Sequence, residues 1–259
     1  TKTCLGSKDG NIYHTLWQSG DRISLNGVSS AALESEQAGR RKASFVFRGG
    51  LAAPSNILYP ATDSPDMVNF PAEQNYHEDS FDPEAAPMWA SSSVYADMSL
   101  RHLSSLVRLS LKDAEGAVLS GVSLCAMGGE QISGEFRLGT DDEGRFTGEI
   151  EPAGGSTNVT MTFGDGGLQL SSEPTFIYIA IPAGDYSYGF KATLWSTDGK
   201  AMMLSFFGGG KRTIAPAKVL EFPNVEFVPD GADVLHVRNA ADFARLSSTE
   251  AKAVYIYND

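Results

Sequence analysis

The sequence predicts an all-β protein built from antiparallel sandwiches, and three observations carry that reading. Hydrophobic residues recur with a period of two, glycine- or proline-bearing turns interrupt them repeatedly, and almost no stretch has a helical period. With 42% hydrophobic residues among 259, the chain has enough apolar material for a real core, so wholesale disorder is excluded.

The first hundred residues predict short strands at 13–17, 22–25 and 44–47, separated by long polar stretches. Residues 30–37 have the composition for two helical turns, but apolar periodicity is missing and Gly39 follows. Residues 60–93 carry several prolines and many small polar residues, so they are expected to pack as loops over a sheet. Residues 1–103 therefore read as a loop-rich β domain with its boundary near Leu103.

Beyond that boundary the alternation is regular. Val107, Leu109 and Leu111 alternate with Arg108, Ser110 and Lys112, the pattern of a strand with one buried and one wet face. Phe136 and Leu138, Phe146 and Ile150, then Val159, Met161 and Phe163 continue it. Asp142-Glu143-Gly144, Gly154-Gly155 and Gly164-Asp165-Gly166-Gly167 supply the intervening hairpin turns. Residues 176–181 are apolar throughout, as in a strand buried on both sides. Phe190, Ala192 and Leu194 then alternate up to a Thr197-Asp198-Gly199 turn. Residues 104–225 thus read as an antiparallel β-sandwich.

The tail, 226–259, differs. A strand candidate at 217–222 meets Pro223, and Pro229-Asp230-Gly231 is a turn. Val234-Leu235-His236-Val237 follows, then a helical stretch capped by Asn239 with Phe243 and Leu246 on one face, then Ala253-Val254-Tyr255-Ile256-Tyr257. This short α/β order is expected to begin a further module that packs on the second sandwich only at its edge.

Charge and motifs exclude several function classes. The net charge is −12, and the densest basic clusters are only Arg40-Arg41-Lys42 and Lys211-Arg212. Phosphate contacts supply most nucleic-acid affinity, so a nucleic-acid partner is not expected. No apolar run approaches the roughly 20 residues of a membrane helix. Cys4 and Cys125 lie far apart in sequence and form no C-x-x-C, and Cys125 reads as a small buried strand residue. His14, His77, His102 and His236 are scattered, and Asp141-Asp142-Glu143 followed by Gly144 reads as a turn rather than a calcium loop. Residues 207–213 hold a glycine run before Lys211, but Arg212 stands where a phosphate loop needs serine or threonine. Glu149 and Glu151 flank Ile150 on the wet face of a strand, and the sequon Asn158-Val159-Thr160 reads as an exposed strand edge. No Gly-x-Ser-x-Gly elbow occurs. The expectation is no catalysis, no cofactor and no metal.

Several motifs, taken in order, resemble the fimbrillin family of Bacteroidales surface proteins. Trp17-Gln18-Ser19-Gly20-Asp21-Arg22-Ile23 is similar to its W-x-x-G-D-x-I signature, and Phe70-Pro71-Ala72-Glu73-Gln74-Asn75-Tyr76 to its F/L-P-A-x-Q-x-Y segment, with Ser80-Phe81-Asp82-Pro83 following. Met88-Trp89-Ala90 resembles the segment before its domain junction, and Arg101-His102-Leu103-Ser104-Ser105-Leu106-Val107 the strand opening its second domain. Ile181-Pro182-Ala183-Gly184-Asp185-Tyr186 resembles its P-x-G-x-Y turn, and Ser196-Thr197-Asp198-Gly199 the hairpin after it.

The resemblance spans about residues 3–225. It implies two tandem transthyretin-like sandwiches, export to the cell surface, outer membrane or fimbrium, and a role in adhesion or fimbriae. Other fimbrial subunits, or host or bacterial surface proteins or glycans, would be the partners. Polymerising members are lipoproteins whose terminal strand completes the next subunit. No lipidation box precedes Cys4, so membrane contact is expected only through a lipid anchor outside these residues. The competing expectation is a tethered carbohydrate-binding module. Tyr76, Trp89, Tyr186 and Tyr188 are its candidate sugar-stacking residues, and they read equally well as core or hairpin aromatics.

Overall fold

The computed structural model describes residues 4–9, 12–49, 53–93, 97–206, 210–231, 234–237, 243–244 and 253–256. It is nearly all β, with several antiparallel sheets.

The regular alternation between 104 and 226 closes into two facing sheets. One has Ser104–Lys112 at its centre, flanked by Thr175–Pro182 and Val219–Glu226. The other runs Ala201–Phe206, Phe190–Ser196, Val118–Ala126, Asn158–Thr162, Glu73–Asn75. Val107, Leu109 and Leu111 from the first sheet meet Leu124, Met161 and Leu194 from the second in one core. The expected inward positions are therefore the buried ones, because one face of each strand must leave water.

Strands Ser24–Leu25, Val28–Ser29, Ser55–Tyr59, Met88–Ser92 and Arg101–His102 make a separate antiparallel sheet. Its two faces carry different cores. Ile57, Tyr59, Met88 and Ala90 pack with Trp17 and Ile23 on one side. Leu58 and Trp89, paired across the two strands, pack on the other side with Phe70, Phe136, Leu138 and Phe146. That second layer is the sheet of Met67–Phe70, Ser133–Thr140 and Phe146–Ser156.

Several expectations are corrected. Phe136, Leu138 and Phe146 do not join the core of Val107 but the one with Trp89. Residues 60–93 are not loops alone: Met67–Phe70 pairs with Ser133–Thr140, and Glu73–Asn75 runs parallel to Asn158–Thr162. Asn158-Val159-Thr160 therefore lies inside a sheet, not at an exposed edge. Residues 44–47 alternate like a strand but join no ladder. Val46 accepts one backbone bond from Ala31, and the Gln37 side-chain amide satisfies Ser44 from both sides. Residues 30–37 give one 3-10 turn, Ser35–Gln37.

Arg108 and Ser110 are not on a wet face. Phe81, Ala85 and Ala86 cover the outer side of this sheet against Leu106, Tyr178 and Ala180, and Ser110 is 1% exposed. Arg108 lies over the Phe176 ring at 4.7 Å and reaches Glu221 at 3.3 Å. The expected strand at 217–222 is Val219–Glu226, which passes through Pro223 at a register shift and pairs parallel to Ser104–Lys112. Proline is tolerated there because an edge-strand irregularity has no ladder bond to lose.

In the tail, Phe227 packs into the sandwich core and the Asp230 N–H donates to the Ala201 carbonyl. Val234–Val237 and Ala253–Ile256 pair parallel. Phe243 and Ala244 are helical, and the rest of the capped stretch at 239–246 lies outside the described residues.

Candidate functional site

The four aromatic candidates occupy different environments. Trp89 is buried edge-on to Phe146, with the Arg101 guanidinium 5.6 Å from its ring. Tyr186 is buried against Phe190, and its hydroxyl donates to the Pro182 carbonyl at 2.6 Å. That local bond fixes the corner after Thr175–Pro182, as a tyrosine does at many sandwich corners. Burial pushes the Tyr186 phenol well above its ordinary pKa. Tyr76 is half-buried, edge-on to Phe163 at 5.4 Å. Tyr188 alone presents most of its ring to solvent, at 65% exposure.

Other singled-out residues fall into place locally. Asp141 accepts from the Glu143 and Arg145 backbone N–H groups and from the Arg145 side chain, so the acidic triplet closes a hairpin turn. These bonds, led by the Arg145 N–H, hold the Asp141 carboxyl below the usual range. Glu149 and Glu151 are exposed on either side of Ile150. Lys211 pairs with Asp185. Cys4 and Cys125 are both free thiols, and burial pushes Cys4 upward in pKa. Among the described residues no three His, Cys, Asp or Glu side chains converge as a metal set, and no helix is long and apolar enough to cross a membrane.

A groove of about 1550 Å³ lies along the Trp17 side of the Ser55–Tyr59 and Met88–Ser92 sheet. Its floor is Trp17, Ile23, Leu25, Ile57 and Met88, all buried. One wall is the extended run 43–47, which lays Phe45 edge-on against Trp17 at 5.0 Å and places Phe47 beyond it. The Met98-Ser99-Leu100 segment lines the groove as well. Arg40, Arg41 and Lys42 stand on the rim, exposed. Their position is set by the backbone: the Trp17 N–H donates to the Arg40 carbonyl at 2.9 Å, and the Gly39 N–H donates to the Trp17 carbonyl at 2.7 Å.

His102 also lines the groove, with Nε2 3.2 Å from the Thr15 hydroxyl. Burial holds its imidazole below the ordinary pKa. The sequence signal for this groove was present but divided. Phe45 and Phe47 alternate without a strand partner, and the basic triplet is too short to signal a nucleic-acid face.

No family model matches the chain, and no curated protein matches it. Two solved structures are similar to it. One is a candidate cell adhesion protein from Bacteroides ovatus, 12% identical, with a TM-score of 0.46 over 83% of this chain and 86% of that one. The other is a candidate cell adhesion protein from Bacteroides uniformis, 13% identical, with a TM-score of 0.44 over 73% of this chain and 79% of that one.

Proposed function

We propose that the chain is a cell-surface adhesion or fimbria-associated structural protein. One observation carries the reading: residues of the fimbrillin-like motifs act as scaffold joints. Asp21 is buried and accepts from the Gln18 N–H and the Tyr59 hydroxyl, closing the turn after Trp17. Gln74 bonds across to Ala180, Trp89 fills the core between two sheets, and Tyr186 ties its corner to Pro182. A shared signature that maps onto joints rather than a reaction site suits a protein selected for mechanical shape.

In this reading residues 1–103 and 104–225 are two transthyretin-like units. Met67–Phe70 and Glu73–Asn75 reach across to strands of the second, and 226–259 begins a further module. The partners are surface proteins, glycans or other subunits, and the location is the cell surface.

Antibody labelling and protease shaving of intact producing cells test the location. Labelling with loss of signal on shaving is expected, and signal only after lysis overturns it. Binding of the purified chain to immobilised surface proteins of neighbouring cells is the functional arm. Binding to a glycan array that Tyr188→Ala abolishes would assign a carbohydrate-binding module instead.

A further inference from the structure

The groove beside Trp17 has a chemistry that its structural role does not use. Phe45, Phe47, Met98 and Leu100 are only partly buried, so each keeps apolar surface facing the open volume. The volume of about 1550 Å³ exceeds the roughly 300–1,000 Å³ of most small-molecule pockets. Met98 gives it a pliable wall that adapts to a flexible chain.

Charge is the second observation. The protein carries −12 overall, yet three consecutive cations, Arg40, Arg41 and Lys42, line this one rim. No ion pair engages them among the described residues. The remaining titratable residues on the lining are Asp97, His14, His102 and Tyr13. A groove with an apolar floor, mixed polar and apolar walls and a basic rim is complementary to a molecule that has an apolar chain and an anionic head.

The geometry points to this groove as a binding site for a long-chain fatty acid, its acyl chain on the Trp17 side of the trough and its carboxylate at Arg40-Arg41-Lys42. The site is independent of the adhesion reading, because it needs neither a surface location nor a protein partner. The fold uses the Arg40 carbonyl and leaves the three charged side chains exposed, so their reversal should spare the fold.

The test uses the full chain and 11-(dansylamino)undecanoic acid as fluorescent probe, displaced by oleate or by oleyl alcohol below their aggregation limits. The expected result is saturable probe binding, with oleate competing at least about tenfold better than the uncharged alcohol. The triple variant Arg40→Glu, Arg41→Glu, Lys42→Glu should weaken oleate by a similar factor at an unchanged melting temperature. Leu100→Trp should block the probe by filling the trough. Absence of probe binding, equal competition by acid and alcohol, or a charge-reversed variant that binds oleate like the parent overturns the proposal. Probe binding that falls as the protein is concentrated would give the groove to a second copy of the chain and overturn it as well.

Discussion

Gln74 closes a two-way hydrogen bond on the backbone of Ala180. Its Nε2 donates to the Ala180 carbonyl at 2.8 Å, and the Ala180 N–H donates to its Oε1 at 2.9 Å. Gln74 sits in Glu73–Asn75, the end strand of one sheet, and Ala180 in Thr175–Pro182, the edge strand of the facing one. A side-chain amide thus stands in for a missing strand and staples the two sheets at their corner. Gln74→Ala should orphan both peptide groups of Ala180. Each buried orphan costs about 1–3 kcal/mol, so a total loss of about 2–6 kcal/mol is expected in urea unfolding. A loss under about 0.5 kcal/mol, the range of ordinary surface substitutions, would mean the amide does not staple the edge.

Tyr186→Phe should act at the next corner of the same strand. The hydroxyl donates to the Pro182 carbonyl at 2.6 Å inside the core. The variant keeps the ring packing on Phe190 and removes only that bond. A loss of about 1–2 kcal/mol in denaturant midpoint, at unchanged denaturant slope, is expected. An unchanged midpoint would show that the corner is held by packing alone.

These two joints mark where the sequence is readable and where it is not. Val107, Leu109 and Leu111 are legible because burial on one face of a strand writes itself into a local period of two. Gln74 is not, because its partner lies 106 residues away and nothing near it announces a sheet edge. Distance in sequence also hides Phe81, Ala85 and Ala86, which arrive from another part of the chain to pack on Leu106, Tyr178 and Ala180. Residues 44–47 mislead in the opposite direction: they have strand alternation, yet Phe45 and Phe47 answer to the Trp17 groove, not to a neighbouring ladder. The groove joins residues from six separate stretches of chain, so its shape is invisible to any local pattern.

Arg108 and Leu109 test the two faces of one strand. Leu109→Ala should cost about 2–5 kcal/mol through lost burial and a cavity between the sheets. Arg108→Ala should cost about 1–2 kcal/mol, because it strips the stem and the ring contact from Phe176 and leaves Glu221 without this partner. A wet strand position would lose no more than about 0.5 kcal/mol. Urea unfolding of the two single variants separates these cases.

His102 predicts an acid-sensitive step. Burial lowers its folded pKa from the ordinary 6.5, so the unfolded chain takes up the proton first as pH falls. The stability linked to this group is fully present above about pH 6.5 and is lost as pH falls through the depressed folded value. Thermal melts of the parent between pH 8 and 5 should therefore decline more steeply than those of His102→Gln. Parallel declines would show that the imidazole titrates alike in both states.

Gly148 and Trp89 give the sharpest steric test. Gly148 lies in Phe146–Ser156 with φ +84°, a left-handed conformation that costs an L side chain about 1–2 kcal/mol. A Cβ there would also press into Cζ2 and Cε2 of the Trp89 indole. The indole has little room to retreat, with Phe146 edge-on at 6.5 Å and the Arg101 guanidinium 5.6 Å from its ring. Gly148→Ala should therefore add an overpacking cost of about 1–3 kcal/mol to the backbone cost. Gly144→Ala separates the two contributions. Its φ is +75°, but the nearest atom to an added Cβ is Pro54 Cγ at 3.8 Å, so it incurs the backbone cost alone. The double variant Gly148→Ala, Trp89→Phe completes the cycle. It should be less destabilised than the sum of its single variants, because the smaller ring makes room for the methyl group. Additive losses, or equal losses for Gly148→Ala and Gly144→Ala, would mean the indole is not the wall that keeps residue 148 a glycine.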